Sequence, residues 1–172
     1  VVVKDDACLN CHTAHGGRLQ QLMKASPIRI CMNCHEKPIE SPEGKVASVA
    51  EVLDPKMVKH GPVAEGGCGG CHNVHGSKVD SLLTKPYPGT FYTSFDVKDY
   101  ELCFTCHDRQ LALAKTTTTL TRFRNGDQNL HYLHVNKAKG RTCRACHSTH
   151  AGPNPMQVRE SVPYGSWKMP VH

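Results

Sequence analysis

Large apolar side chains are scarce in this sequence. Aromatics are 6% of 172 residues, and hydrophobic residues of every kind are 38%. A chain of this length is the size of one ordinary domain, but this composition would struggle to offset its own conformational entropy with a side-chain core. No apolar stretch approaches the ~20 residues needed to cross a bilayer. No basic run is interleaved with aromatics, so the formal charge of +6 is a poor argument for nucleic-acid binding. An initiating methionine and a signal-like segment are both missing, and the chain reads as mature or trimmed. Cysteine is absent outside one pattern. All ten cysteines fall in CxxC pairs, which leaves none for a disulfide framework.

What is there is a histidine directly after every pair. The five copies are Cys8-Leu-Asn-Cys11-His12, Cys31-Met-Asn-Cys34-His35, Cys68-Gly-Gly-Cys71-His72, Cys103-Phe-Thr-Cys106-His107 and Cys143-Arg-Ala-Cys146-His147. CxxCH is the attachment sequence of a c-type haem. The two thiols add to the haem vinyl groups, and the histidine coordinates the iron from one side. A lone CxxC would fit a zinc half-site or a redox dithiol equally well, but neither needs the histidine. With 12 histidines in 172 residues, five such coincidences have odds on the order of one in a million. The expectation is five covalent haems, with His12, His35, His72, His107 and His147 as proximal ligands.

Five haems leave about 34 residues of chain each. The cofactors must therefore supply the interior, their flat faces replacing the missing Leu and Phe. Ten propionates add about −10 and five oxidised haem cores about +5, which brings the formal +6 close to about +1 when oxidised and about −4 when reduced. Lys24, Arg29, Arg122, Arg124, Lys137, Lys139 and Arg141 are the cations expected to meet propionates or solvent. The expected fold is mostly irregular with short α-helices, a compact or elongated multihaem cytochrome c wrapped around its haems, with little or no β-sheet. Helices are expected over 18–25, 46–53 and 101–115. Residues 116–119 are a β-branched run that should not continue a helix, and 123–127 read as loop.

The chain reads as one domain, 1–172, with internal modules. Residues 8–36 hold haems one and two, 60–108 hold three and four, and 131–152 hold five, before an extended tail over 153–172. Gly76 repeats Gly16, and Leu82 stands where Leu22 stands relative to its motif. The second module carries 12 extra residues between its motifs, with Tyr87, Phe91, Tyr92 and Phe95, which read as a loop folding over a haem face.

Seven histidines remain as distal candidates: His15, His60, His75, His131, His134, His150 and His172. They are enough for bis-histidine ligation at every iron. On a continuing helix His12 and His15 would share a face. His15 would then point away from its own haem and serve the second, as His75 would serve the fourth. His60 stands eight residues before Cys68 and His134 nine before Cys143, enough chain to fold over haems three and five. The first haem would take its ligand from His131, His150, His172 or another molecule. If His172 serves an adjoining copy, the contact is head-to-tail and builds a filament. Met23, Met32, Met57, Met156 and Met169 read as packing residues rather than ligands.

The CxxCHxxHG repeats, the His60-Gly-Pro-Val lead-in, Leu102 before Cys103 and the His131/His134 pair before the last motif resemble the doubled-CxxCH multihaem cytochromes. They are similar to the small pentahaem electron donors of periplasmic nitrite reduction and to the decahaem conduits of metal-reducing bacteria. The resemblance implies bis-His haems in close contact acting as a wire in anaerobic or extracellular respiration. Redox proteins or other copies of the chain are then its partners, with no nucleic acid and no transmembrane segment. Haem c is attached outside the cytoplasm, which places the protein in the periplasm or at the cell surface after removal of a signal segment. Two alternatives stand beside the carrier: a filament subunit with inter-subunit ligation, and an oxidoreductase with an open first haem. No motif has the CxxCK form, no catalytic residue is singled out, and an open iron is not required by the histidine count.

Overall fold

The computed structural model describes residues 7–41 and 44–171. Regular elements are short throughout. Among the described residues the longest is the nine-residue helix Pro27–His35, which starts on a proline whose missing N–H costs nothing at that position. Next is Leu130–Val135, capped by the Asn129 side chain, which accepts from His131 N at 3.0 Å. The strands have two to four residues and pair antiparallel in five two-stranded sheets. The mostly irregular architecture with short helices is thus observed.

Three expected helices fail for local reasons. Residues 18–25 hold only a three-residue 3-10 turn, Gln20–Leu22, because Met23 bridges back to His12. Residues 46–53 divide into the strand Gly44–Val46 and the turn Ala50–Leu53. Ser48 stands between them, accepting from Ala50 N at 3.0 Å and donating to Glu36 O at 2.7 Å, a local bonding pattern that competes with helix. Residues 101–115 split into Glu101–Phe104 and Gln110–Leu113. The break is Asp108, whose carboxylate accepts from Gln110 N at 2.8 Å. Residues 123–127, expected as loop, enter the hairpin Arg124–Asn125/Gln128–Asn129. The tail contains a hairpin in which Trp167 pairs with Tyr164 and Pro170 with Ser161.

The chain groups into two compact units. The first comprises the described parts of Val1–Cys68 and Thr149–Gln157. Its core is Met32, Val52 and Ala151, with Ile28, Val49, Met57 and Val63 against it. Val58–Lys59 pairs with Ala151–Gly152, and His60 N donates to His150 O at 2.9 Å.

The second unit comprises the described parts of Gly69–Ser148 and Val158–His172. Its core is Tyr100, Ala112 and Val135, surrounded by Tyr87, Phe95, Phe104 and Cys143. The 12 extra residues of the second module dock here, onto the stretch leading into the last motif. Tyr92–Thr93 pairs with Gly140–Arg141, Thr142 N donates to Phe91 O at 3.0 Å, and Arg144 N donates to Tyr87 Oη at 2.9 Å. Tyr87 and Phe95 stand 5.7 and 5.2 Å from Tyr100, ring centre to ring centre.

Only ten hydrophobic residues are buried among those described, and four of them are alanine. Fifteen large hydrophobic side chains are exposed, including Leu9 and Val74 at the motifs and Leu22, Leu82 and Met156 downstream of them. Met32 and Met57 do pack as expected, whereas Met156 is 75% exposed.

Candidate haem-binding sites

Three of the CxxCH motifs close a single helical turn, the second ends the helix Pro27–His35, and the third opens on the 3-10 turn Cys68–Gly70. His12 N donates to Cys8 O at 2.9 Å, His107 N to Cys103 O at 3.0 Å and His147 N to Cys143 O at 3.0 Å. That turn carries both thiols and the imidazole within about 6 Å of rise. The helix then stops. His12 is extended (φ −111, ψ 152), as is His147 (φ −110, ψ 137). His12 and His15 therefore do not share a helix face, and the geometric premise for His15 does not hold. The reason is an isolated antiparallel bridge from the motif histidine to a later residue, His12 to Met23, His72 to Leu83 and His147 to Val158.

Two motif imidazoles are oriented by backbone. His12 Nδ1 lies 2.8 Å from Gln21 O and His72 Nδ1 lies 2.9 Å from Ser81 O. A carbonyl only accepts, so Nδ1 carries the proton and Nε2 carries the lone pair a metal needs.

The thiols of successive motifs adjoin. In the first unit Cys31 hydrogen-bonds with Cys68, and Cys11 is near enough to act on it. Burial, then Cys68, push the Cys31 thiol up to about 11. In the second unit the hydrogen bond with Cys143, followed by burial, holds Cys103 above the ordinary thiol range, with a contribution from Cys71. Burial raises Cys146. Zinc would need thiolates, and no group of three or more His, Cys, Asp or Glu converges on a bare metal site among the described residues.

The distal candidates fall in different surroundings. His15 and His75 are exposed. His60 occupies the position before the turn Gly61–Ala64, its backbone bonded to that of His150, and His150 Nδ1 lies 3.8 Å from the Glu51 carboxylate. In the second unit His131 faces His147, with ring centres 6.4 Å apart and planes 15° apart. Phe123 packs edge-on to His131 at 5.1 Å and lies 5.6 Å from His134. Burial lowers His131 to about 4, helped by His147 and His134, so it is neutral at neutral pH. Its Nδ1 is buried without a partner. His134 Nδ1 donates to Leu130 O at 2.7 Å, and His134 lines an open cavity of ≈ 270 Å³ with Tyr92, Lys137, Lys139 and Arg141. Three cations around one cavity suit carboxylates such as propionates. His172 lies outside the described residues.

These residues fit haem c. The donor set is thiol pairs with tautomer-fixed imidazoles. Two buried polar atoms beside motif residues, His131 Nδ1 and Tyr100 Oη, have no protein partner, and apolar side chains flank the motifs uncovered. Sequence reasoning missed the carbonyls of Gln21 and Ser81, and Tyr87 as a support of the last motif. The repeated position of Leu22 and Leu82 was the available signal.

Repeated one-turn CxxCH sites on a thin polypeptide frame define a multihaem c-type cytochrome with covalent haem c. The chain belongs to the doubled CXXCH motif family, which matches residues 1–40 and 60–112. It is also similar to the multiheme cytochrome MtrA of Shewanella baltica (strain OS185), with 31% identity over 105 residues. That match covers 60% of this chain and 24% of the relative, so the chain spans about a quarter of that protein's length. No helix among the described residues is long and apolar enough to cross a membrane.

Proposed function

We propose that the protein carries electrons along five haems taken in sequence order, outside the cytoplasm, between redox partner proteins. Bound haem supplies the one-electron couple of its iron. What the chain does is tether, ligate and space. The observation that carries the reading is the closeness of thiols from successive motifs: Cys31 hydrogen-bonds with Cys68 in the first unit and Cys103 with Cys143 in the second, with Cys11 and Cys71 within electrostatic reach. Each thioether joins a porphyrin at its edge, so adjoining thiols set successive edges side by side. Cys68 and Cys71 belong to one motif, which links the two series covalently.

A closed ligand shell suits this task, because bis-His iron changes little between its two oxidation states and admits no substrate. At the last motif the geometry favours His131 as the second ligand, in place of His134, the residue singled out by spacing. Metal–imidazole bonds of about 2.0–2.1 Å and about 1.15 Å from nitrogen to ring centre put two imidazoles on one metal about 6.3–6.5 Å apart. His131 and His147 stand at 6.4 Å with their planes nearly parallel. His15, His60 and His75 remain the candidates for haems two, three and four, and His134, His150 and His172 for haem one.

Purified holoprotein should contain five irons per chain, all low-spin and all reducible at an electrode. His131→Ala should turn one ferric haem high-spin while His134→Ala leaves the last haem low-spin. An iron count below five defeats the five-haem wire, and the reverse spin pattern defeats the assignment of His131.

A further inference from the structure

The first, third and fifth motifs are each followed by the same corner. Two successive residues that are not glycine take left-handed backbone: Gln21 and Leu22 (φ 57 and 54), Ser81 and Leu82 (φ 58 and 55), Met156 and Gln157 (φ 56 and 54). They are the ninth and tenth residues after the motif histidine, and the eleventh is its bridge partner. The twelfth returns an N–H to the second cysteine. Lys24 donates to Cys11 O, Thr84 to Cys71 O and Arg159 to Cys146 O, each at 2.9 Å. No other residue with a side chain beyond glycine has positive φ among those described. The same positions after His35 and His107 carry no such pair.

A side chain with a Cβ resists this backbone. Doubled corners of this kind persist only where their surroundings over-determine them, and they cluster at functional sites. Here the first left-handed residue turns its carbonyl onto the motif imidazole, Gln21 onto His12 and Ser81 onto His72. An N–H held by a carbonyl makes the ring a stronger donor through its other nitrogen. Stronger donation favours the ferric over the ferrous iron.

We propose that this corner is a positioning device for the motif imidazole, the carbonyls of Gln21 and Ser81 holding the haems of motifs one and three at lower potential than the same ligands would give without it. The proposal rests on the motifs being haem sites. Those two potentials are then set partly by backbone, not by ligand identity alone.

Ser81 is the position to test, through the pair S81G and S81V. Haem content is measured first, and fewer than five haems in wild type would sink the underlying reading rather than the corner. Glycine accepts left-handed backbone, so S81G should keep the wild-type potentials and melt at higher temperature. Valine is β-branched and resists it. S81V should keep its low-spin spectrum while one of five reduction steps moves to higher potential. Unchanged potentials in a fully loaded S81V, or an equal shift in S81G, would overturn the proposal. If S81V loses the third haem, the reduced wild-type protein with 15N-labelled histidine decides the matter by NMR. Slowly exchanging ring N–H protons on His12 and His72 are expected, and rapid exchange of both overturns the idea.

Discussion

Asn129 has no solvent exposure, and every hydrogen bond of its side chain goes to backbone. Nδ2 donates to Leu111 O at 2.9 Å and Ala114 O at 2.8 Å, while Oδ1 accepts from His131 N. One amide thus ties Gln110–Leu113 to the helix that carries His131 and His134. Asn129→Ala leaves three buried backbone groups unpaired and should cost on the order of 3 kcal/mol. Gly140 is constrained differently. A Cβ there would overlap the Val135 carbonyl, so Gly140→Ala should cost about 1–3 kcal/mol through displaced backbone. Denaturant unfolding of the holoprotein measures both. The Asn129 change should also disturb the His131 spin state, because the cap fixes that ring, whereas a solvent-facing change such as Lys78→Ala should do neither. The histidines beside Asn129 illustrate what spacing cannot resolve. His131 and His134 lie three apart on one short helix, both within chain reach of the last motif, and the ring that faces His147 is set by how the helix is rolled.

At the scale of elements, the CxxCH turn and the corner after it have opposite visibility. The turn is written in residue types, because thioether formation and iron ligation need cysteine and histidine at fixed separation. The corner is not. Left-handed backbone is usually announced by glycine, and here it falls on Gln21, Leu22, Ser81 and Leu82, so an amphipathic reading of 18–25 places a helix where the chain folds back. The Asp108 break in 101–115 was signalled better, since aspartate bonding two residues ahead is a familiar turn. If the corner is held by tertiary contacts against its own preference, relieving that preference should stabilise it. Gln21→Gly should raise holoprotein stability by about 0.5–1 kcal/mol, the left-handed penalty exceeding the entropy cost of glycine. A matched change at a right-handed exposed site, Gln110→Gly, should lower stability by about 1 kcal/mol.

For the whole molecule, the two small side-chain clusters do not make an interior. Among the described residues, six buried hydrophobics larger than alanine stand against fifteen large ones exposed, and some of the exposed ones, such as Leu9 and Val74, flank the motifs. The haem-free chain, made by replacing all ten cysteines with serine, should be largely unfolded, with flat thermal scans and random-coil circular dichroism. A compact apo-protein that melts cooperatively would contradict the view that cofactors form the core. The same argument explains the brevity of every helix. Isolated helices of four to nine residues are marginal in water, so those that carry a motif depend on attachment through their cysteines, and others on bonds such as those of Asn129.

Reading residues in order was enough to find covalent haem c motifs and the scarcity of an ordinary core, and to single out the motif cysteines and histidines as the candidate anchors and proximal ligands. Those properties are local: a bond forms wherever the right two atoms are a few residues apart. Which distal histidine meets which iron, how the extra loop braces the last motif, and where the carbonyls of Gln21 and Ser81 point all depend on segments far apart in the chain. Such contacts are selected by packing and backbone torsion, neither of which leaves a mark in residue spacing.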